Sequence, residues 1–161
     1  MYSIFHIEGG IGKNVLATAV VESLKQSDPE RNIIIVSAWP QVWFNNPNVD
    51  KIYPIGQVAN FYKTYIKNQD TKIFRIDPYH TEDYILNKKH LIEIWCDLAG
   101  VKYNGEKPEL FFNQREVEFA ENNLIDNRPI FVVQTNGGAQ QETKISWMRD
   151  MPLSTAQEVV D

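Results

Sequence analysis

The chain is poor in the residues that staple small proteins together: among its 161 residues there is one cysteine, Cys96. A lone thiol excludes an internal disulfide and the cysteine-rich zinc patterns, and it fits a reducing, cytoplasmic setting. Cations are also in short supply, with 16 Lys and Arg against 21 Asp and Glu, for a formal net charge of -5. Such a balance supplies no global basic field to draw in nucleic acid, which is therefore not expected as a partner. No stretch approaches the roughly 18 apolar residues that span a bilayer, and "MYSIFHIEGG" lacks a basic region followed by a long apolar run. The chain reads as soluble and cytoplasmic, with peripheral contact at the inner face of a membrane left open. Its three histidines, His6, His80 and His90, have no spacing that gathers them around a metal.

What is present is a hydrophobic fraction of 43%, enough for one well-packed domain. Short apolar runs alternate with helical patterns. "YSIFHI" predicts a first strand, and residues 14–26 predict a helix with Val15, Leu16, Ala19, Val20 and Leu24 on one side. "NIIIVSA" is apolar at consecutive positions, as in a parallel strand covered on both faces, and "DKIYPI" and "TKIFRI" repeat the signal. "VANFYKTYIKNQ" and "TEDYILNKKHLIEIWCDLAG" read as helical, the second stopping at Gly100. The pattern predicts an α/β fold, a Rossmann-like doubly wound parallel sheet.

Beyond Gly100 the texture changes. "VKYNGEKPELFFN" reads as loop and short strand, "QREVEFAENNLI" as helix and "DNRP" as a break. "PIFVVQT" then reads as a new first strand, "NGGAQQETKISWMRDMP" as a polar loop and "STAQEVVD" as a capped helix that stops after about two turns. The expectation is a first domain over residues 1–126, linker included, and the truncated beginning of a second over residues 127–161.

Three readings compete for "HIEGGIGKNV". Gly9, Gly10, Gly12 and Lys13 match a nucleotide-binding P-loop, but Asn14 stands where the magnesium-binding Ser or Thr belongs and Glu8 would face the phosphates. Alternatively the glycines serve only a tight turn between strand and helix. In the third reading, backbone N–H groups at the helix start, with Lys13 beside them, hold an anionic or hydroxyl-rich group. Other residues have plainer roles: Cys96 lies on an apolar helix face, and "NKKH" looks like a solvated basic patch. Trp39, Trp43 and Phe44 form an aromatic cluster read as loop packing, with sugar stacking as the alternative.

The third reading is favoured by "WFNNPNVDKIYPIG". Its "NPxVD" turn, after the second strand and before a short apolar one, resembles the heptosyltransferase-like glycosyltransferases of family nine. "GGIGKNVLATAVVESLKQSDPERNIIIVSA" occupies the position of that family's glycine loop and first helix, and "LAGVKYNGEKPELFFNQREVEFAENNL" resembles its link into a second domain. "PIFVVQTNGGAQQETKISW" is similar to the opening of that second domain.

The resemblance implies a GT-B architecture, in which a first Rossmann-like domain binds an acceptor and a second binds a nucleotide sugar. It implies transfer of a sugar to a saccharide or glycolipid acceptor of cell-envelope polysaccharide, with no metal and no cofactor. Gly9, Gly10, Gly12 and Lys13 would meet the acceptor, and Thr135, Asn136, Gly137 and Lys144 would meet the donor phosphates. The family's loop carries an aspartate, thought to be the base, where this chain has Lys13. Glu8 is the nearest carboxylate to replace it, with Lys13 binding acceptor or leaving-group phosphate. A partition-type P-loop ATPase and a non-enzymatic α/β interaction domain are the rival expectations.

Overall fold

The computed structural model describes residues 1–57, 59–124, 131–135 and 150–160, the side chains of Leu124 and Val160 apart. The chain divides into two compact units, Met1–Phe119 and Ala120–Asp161. The first is built on four parallel strands, β1 (Tyr2–Ile7), β2 (Asn32–Ser37), β3 (Lys51–Pro54) and β4 (Thr71–Phe74), in the order β3-β2-β1-β4. The predicted α/β, Rossmann-like parallel sheet is thus observed.

Alternation along the strands feeds two cores. Phe5, Ile7, Ile33, Ile35 and Phe74 face α1 (Ile11–Ser27) and α3 (Leu91–Ala99). Ile4, Ile34 and Val36 face the opposite way, against Phe61, Tyr65 and Ile66 of the β3–β4 crossover. Because β2 is covered on both faces, Ile33 to Val36 are all buried, which is why its sequence is apolar without alternation. The connections run outward from β1 to β2 and β3, then return across β1 to β4. The loops after β1 and β4 therefore leave neighbouring strands at the point where the strand order reverses, the place where sheets of this kind bind ligands.

Four local expectations need correction. Only a single π turn, Tyr62–Ile66, forms in "VANFYKTYIKNQ", since Asn60 and Asn68 adopt left-handed backbone (φ 61° and 58°) and bracket it. The helical run after Thr81 breaks into α2 (Glu82–Ile85) and α3. Asn87 is left-handed (φ 52°), and His90 starts α3 by accepting the Ile92 N–H on Nδ1 at 3.3 Å. Gly100, at φ 76°, ends α3 as expected. The segment Val101–Asn113 is loop without a strand, tied to α1 by the Glu109 N–H donating to Thr18 Oγ1 at 3.0 Å.

α4 (Gln114–Leu124) follows, opened by a reciprocal cap between Asn113 and Glu116. In the second unit, residues 131–135 form no strand: no other strand is present among the described residues there to pair with them, and Phe131 and Val132 are almost fully exposed. The Met151 N–H donates to the Thr135 carbonyl at 2.8 Å, and α5 (Leu153–Val160) follows Pro152. Among the described residues no helix is long and apolar enough to cross a membrane.

Candidate functional site

The site grows from three residues, Glu8, Gly9 and Gly10, that join β1 to α1. Gly9 has φ 97°, a backbone that only glycine adopts without strain, so the turn requires it. α1 begins at Ile11, earlier than the periodicity predicts, which moves Gly12 and Lys13 out of the loop and into the first helical turn. Gly10 caps the helix with no side-chain partner, and no acidic residue occupies the first turn. A Cβ at Gly10 or Gly12 would meet nothing within 4 Å. Gly12 is therefore demanded neither by its backbone nor by its neighbours, and it leaves the helix start bare.

Asn14 underpins this turn from below. It is wholly buried, its Nδ2 donates to the Gly10 carbonyl at 3.1 Å, and its Oδ1 accepts from Ser37 Oγ at 2.5 Å and Trp43 Nε1 at 3.3 Å. This placement answers the P-loop reading. The residue in the magnesium-ligand position is turned into the protein, and both its amide nitrogen and its amide oxygen are bonded there. The motif's first glycine, five positions before Gly12, is also missing: Ile7 of β1 stands there. Gly12 and Lys13 thus match that motif, while Gly9 and Gly10 fall at places it leaves free.

Lys13 and Glu8 each reach from the start of α1 and its preceding turn to the segment after β4. Lys13 Nζ donates to Asp77 Oδ2 at 2.8 Å and lies 5.7 Å from the ring centroids of both Tyr79 and Trp95. Arg75 Nη2 donates to Glu8 Oε1 at 2.7 Å, and His6 Nδ1 is 3.7 Å from the same oxygen. The result is two crossed cation–carboxylate pairs at the switch point. Burial pushes the Asp77 carboxyl upward, but the Lys13 hydrogen bond, the Tyr79 N–H and the charges of Lys13 and His80 outweigh it, leaving Asp77 below the ordinary aspartate range. Burial also holds His6 below the usual imidazole value, with Glu8 opposing and Arg75 assisting, so its ring is neutral at physiological pH.

Sequence reasoning missed Arg75 and Asp77. Their only signal was position: "RID" directly follows an apolar strand, at the carboxyl end where ligands bind. His80 is exposed in a 3-10 turn, Pro78–His80, beside Asp77. Cys96 is buried and its thiol donates to Ser23 Oγ at 3.5 Å, and burial raises its pKa, in keeping with an inert core residue. The basic patch is neutralised, Lys88 by Glu82 and Lys89 by Asp97. The "NPxVD" turn is structural: Asn46 accepts the Asn48 N–H at 2.9 Å, and Asp50 Oδ2 accepts the Ile33 N–H at 2.7 Å, closing the start of β2.

Of the residues expected at the donor, Thr135 lies in the second unit with its carbonyl bonded to Met151, while Asn136, Gly137 and Lys144 lie outside the described residues. Among the described residues no cluster of His, Cys, Asp and Glu could hold a metal ion.

No protein-family model matches the chain. No curated protein sequence matches it either. A solved structure, the glycosyl transferase family 9 protein from Veillonella parvula DSM 2008, shares its fold with a TM-score of 0.54 at 12% sequence identity, over 78% of this chain and 50% of that one. This chain thus spans about half the length of that protein and is similar to it in fold.

Proposed function

We propose that this chain carries the acceptor-side domain, residues 1–126, and the opening of the donor-side domain, residues 127–161, of a GT-B glycosyltransferase. It would move a sugar from a nucleotide sugar to a saccharide or glycolipid of the cell envelope, without a metal, at the cytoplasmic face of the membrane. The observation that carries the reading is the fold shared with a solved family 9 glycosyl transferase. The switch point, with its bare helix start and its paired charges, supports it as a site for a polar, partly anionic ligand.

In this reading Gly9, Gly10 and Gly12 present backbone N–H groups to the acceptor. Lys13 leaves Asp77 for an acceptor or leaving-group phosphate. Glu8 takes the proton of the attacking hydroxyl as the new C–O bond forms and the bond from the sugar carbon to the diphosphate breaks. Thr135, Asn136, Gly137 and Lys144 stabilise the departing diphosphate. The test is thermal unfolding of the 161-residue chain with nucleoside diphosphates, with and without a chelator. Stabilisation that survives chelation and is lost in Lys144→Ala is expected. Stabilisation by ATP alone, and only with magnesium, would overturn the reading.

A further inference from the structure

Trp39 is an indole that the fold locks in place and leaves uncovered. As the chain leaves β2, the Trp39 N–H donates to Ser37 Oγ at 2.8 Å and its carbonyl accepts the Val42 N–H at 3.2 Å. The indole N–H donates to the Gly9 carbonyl at 3.0 Å, tying the residue to the turn after β1. Through Ser37 the same segment is joined to the buried amide of Asn14. Every polar group of Trp39 is therefore satisfied within the protein, yet 39% of the residue faces outward, and among the described residues no ring contact covers it. Trp43, four positions on, is wholly buried and supplies the packing that this aromatic segment needs.

A large apolar ring that is rigid, exposed and not needed for the core is suited to contact a ligand, because its conformational entropy is already lost. What lies beside it narrows the class. The Gly9–Gly10 turn and the uncapped start of α1 offer backbone N–H groups next to open space. A pyranose ring has C–H bonds on one face and hydroxyls around its rim, so it matches an aromatic surface bordered by donors. A bare phosphate has no use for the indole.

We infer that Trp39 is the stacking platform for a pyranose ring of the acceptor, and so a specificity-determining residue of the site. That the sugar is an acceptor rests on the transferase reading above. The stacking itself does not.

The experiment is fluorine NMR of the 161-residue chain labelled with fluorotryptophan, whose four tryptophans report separately and whose Trp39 signal is the one missing in Trp39→Phe. Methyl glycosides of glucose, galactose, mannose and glucuronic acid are titrated in turn. At least one is expected to move the Trp39 signal while the buried Trp43 stays still. Affinity, followed by ligand-observed NMR, should fall about tenfold in Trp39→Leu and be largely kept in Trp39→Phe, which retains the aromatic face but loses the N–H latch. If no glycoside moves Trp39, or if both variants lose affinity equally, the residue is only a latch and the inference is wrong. Nucleoside diphosphate binding on the same samples separates the failures: diphosphate binding without any sugar response sinks the platform alone, and no response to either sinks both.

Discussion

Lys13 Nζ and Asp77 Oδ2 are 2.8 Å apart although 64 positions separate them in the chain, and their pairing ties the first turn of α1 to the segment beyond β4. The lysine side chain is 12% exposed and the aspartate 44%, so the pair is open to solvent on its acidic side. Solvent screening limits its worth to less than about 1 kcal/mol.

The pH dependence of this pair follows from the lowered pKa of Asp77. The unfolded aspartate binds its proton more readily than the folded one, so the contribution is fully present above the unfolded value of about 3.9 and is lost as pH falls through the folded value. Urea midpoints of the parent and Asp77→Asn should therefore differ slightly at neutral pH and converge in acid. A gap that widens below pH of about 4 would show that the pairing does not hold Asp77 ionised.

Asn14 carries more stability than any charge at the site. Replacing it with Thr, a residue that a P-loop carries at this position, leaves the Ser37 hydroxyl and the Trp43 indole N–H short of an acceptor in the interior. The expected loss is about 2–4 kcal/mol in urea unfolding, with no magnesium-dependent ATP binding gained. Unchanged stability together with such binding would restore the nucleotide reading.

Gly9 and Gly12 should respond in opposite directions. Gly9→Ala forces an L side chain into φ 97° and brings its Cβ to 3.4 Å from Lys13 Cδ, and should destabilise by about 1–3 kcal/mol. Gly12→Ala enters helical backbone and open space, and should stabilise by roughly 0.5–1 kcal/mol. If Gly12 is kept bare for a ligand, the more stable variant will bind the glycosides less well; equal binding would make that glycine dispensable.

Strands and the first helix were legible because their information is local. Four short apolar runs with a helical pattern between them have few solutions other than a parallel sheet, and Gly100 could be read as a helix stop from its position alone. The break between α2 and α3 was not legible, because the apolar spacing of Tyr84, Ile85, Leu91 and Ile92 suits one continuous helix. A left-handed Asn87 and a capping His90 decide otherwise. Trp39 and Trp43 were indistinguishable as letters; Asn14 and the core take the second, while the turn at Gly9 holds the first at the surface.

By itself, then, the sequence determined the class of fold and the position of the glycine turn, since hydrophobic periodicity and the need for a left-handed residue act within a few positions along the chain. Only the tertiary structure decided what the charged groups do. Lys13 and Glu8 acquire partners from "RID" because the strand order sets β4 beside β1, a pairing that depends on how the sheet closes rather than on any neighbour in sequence.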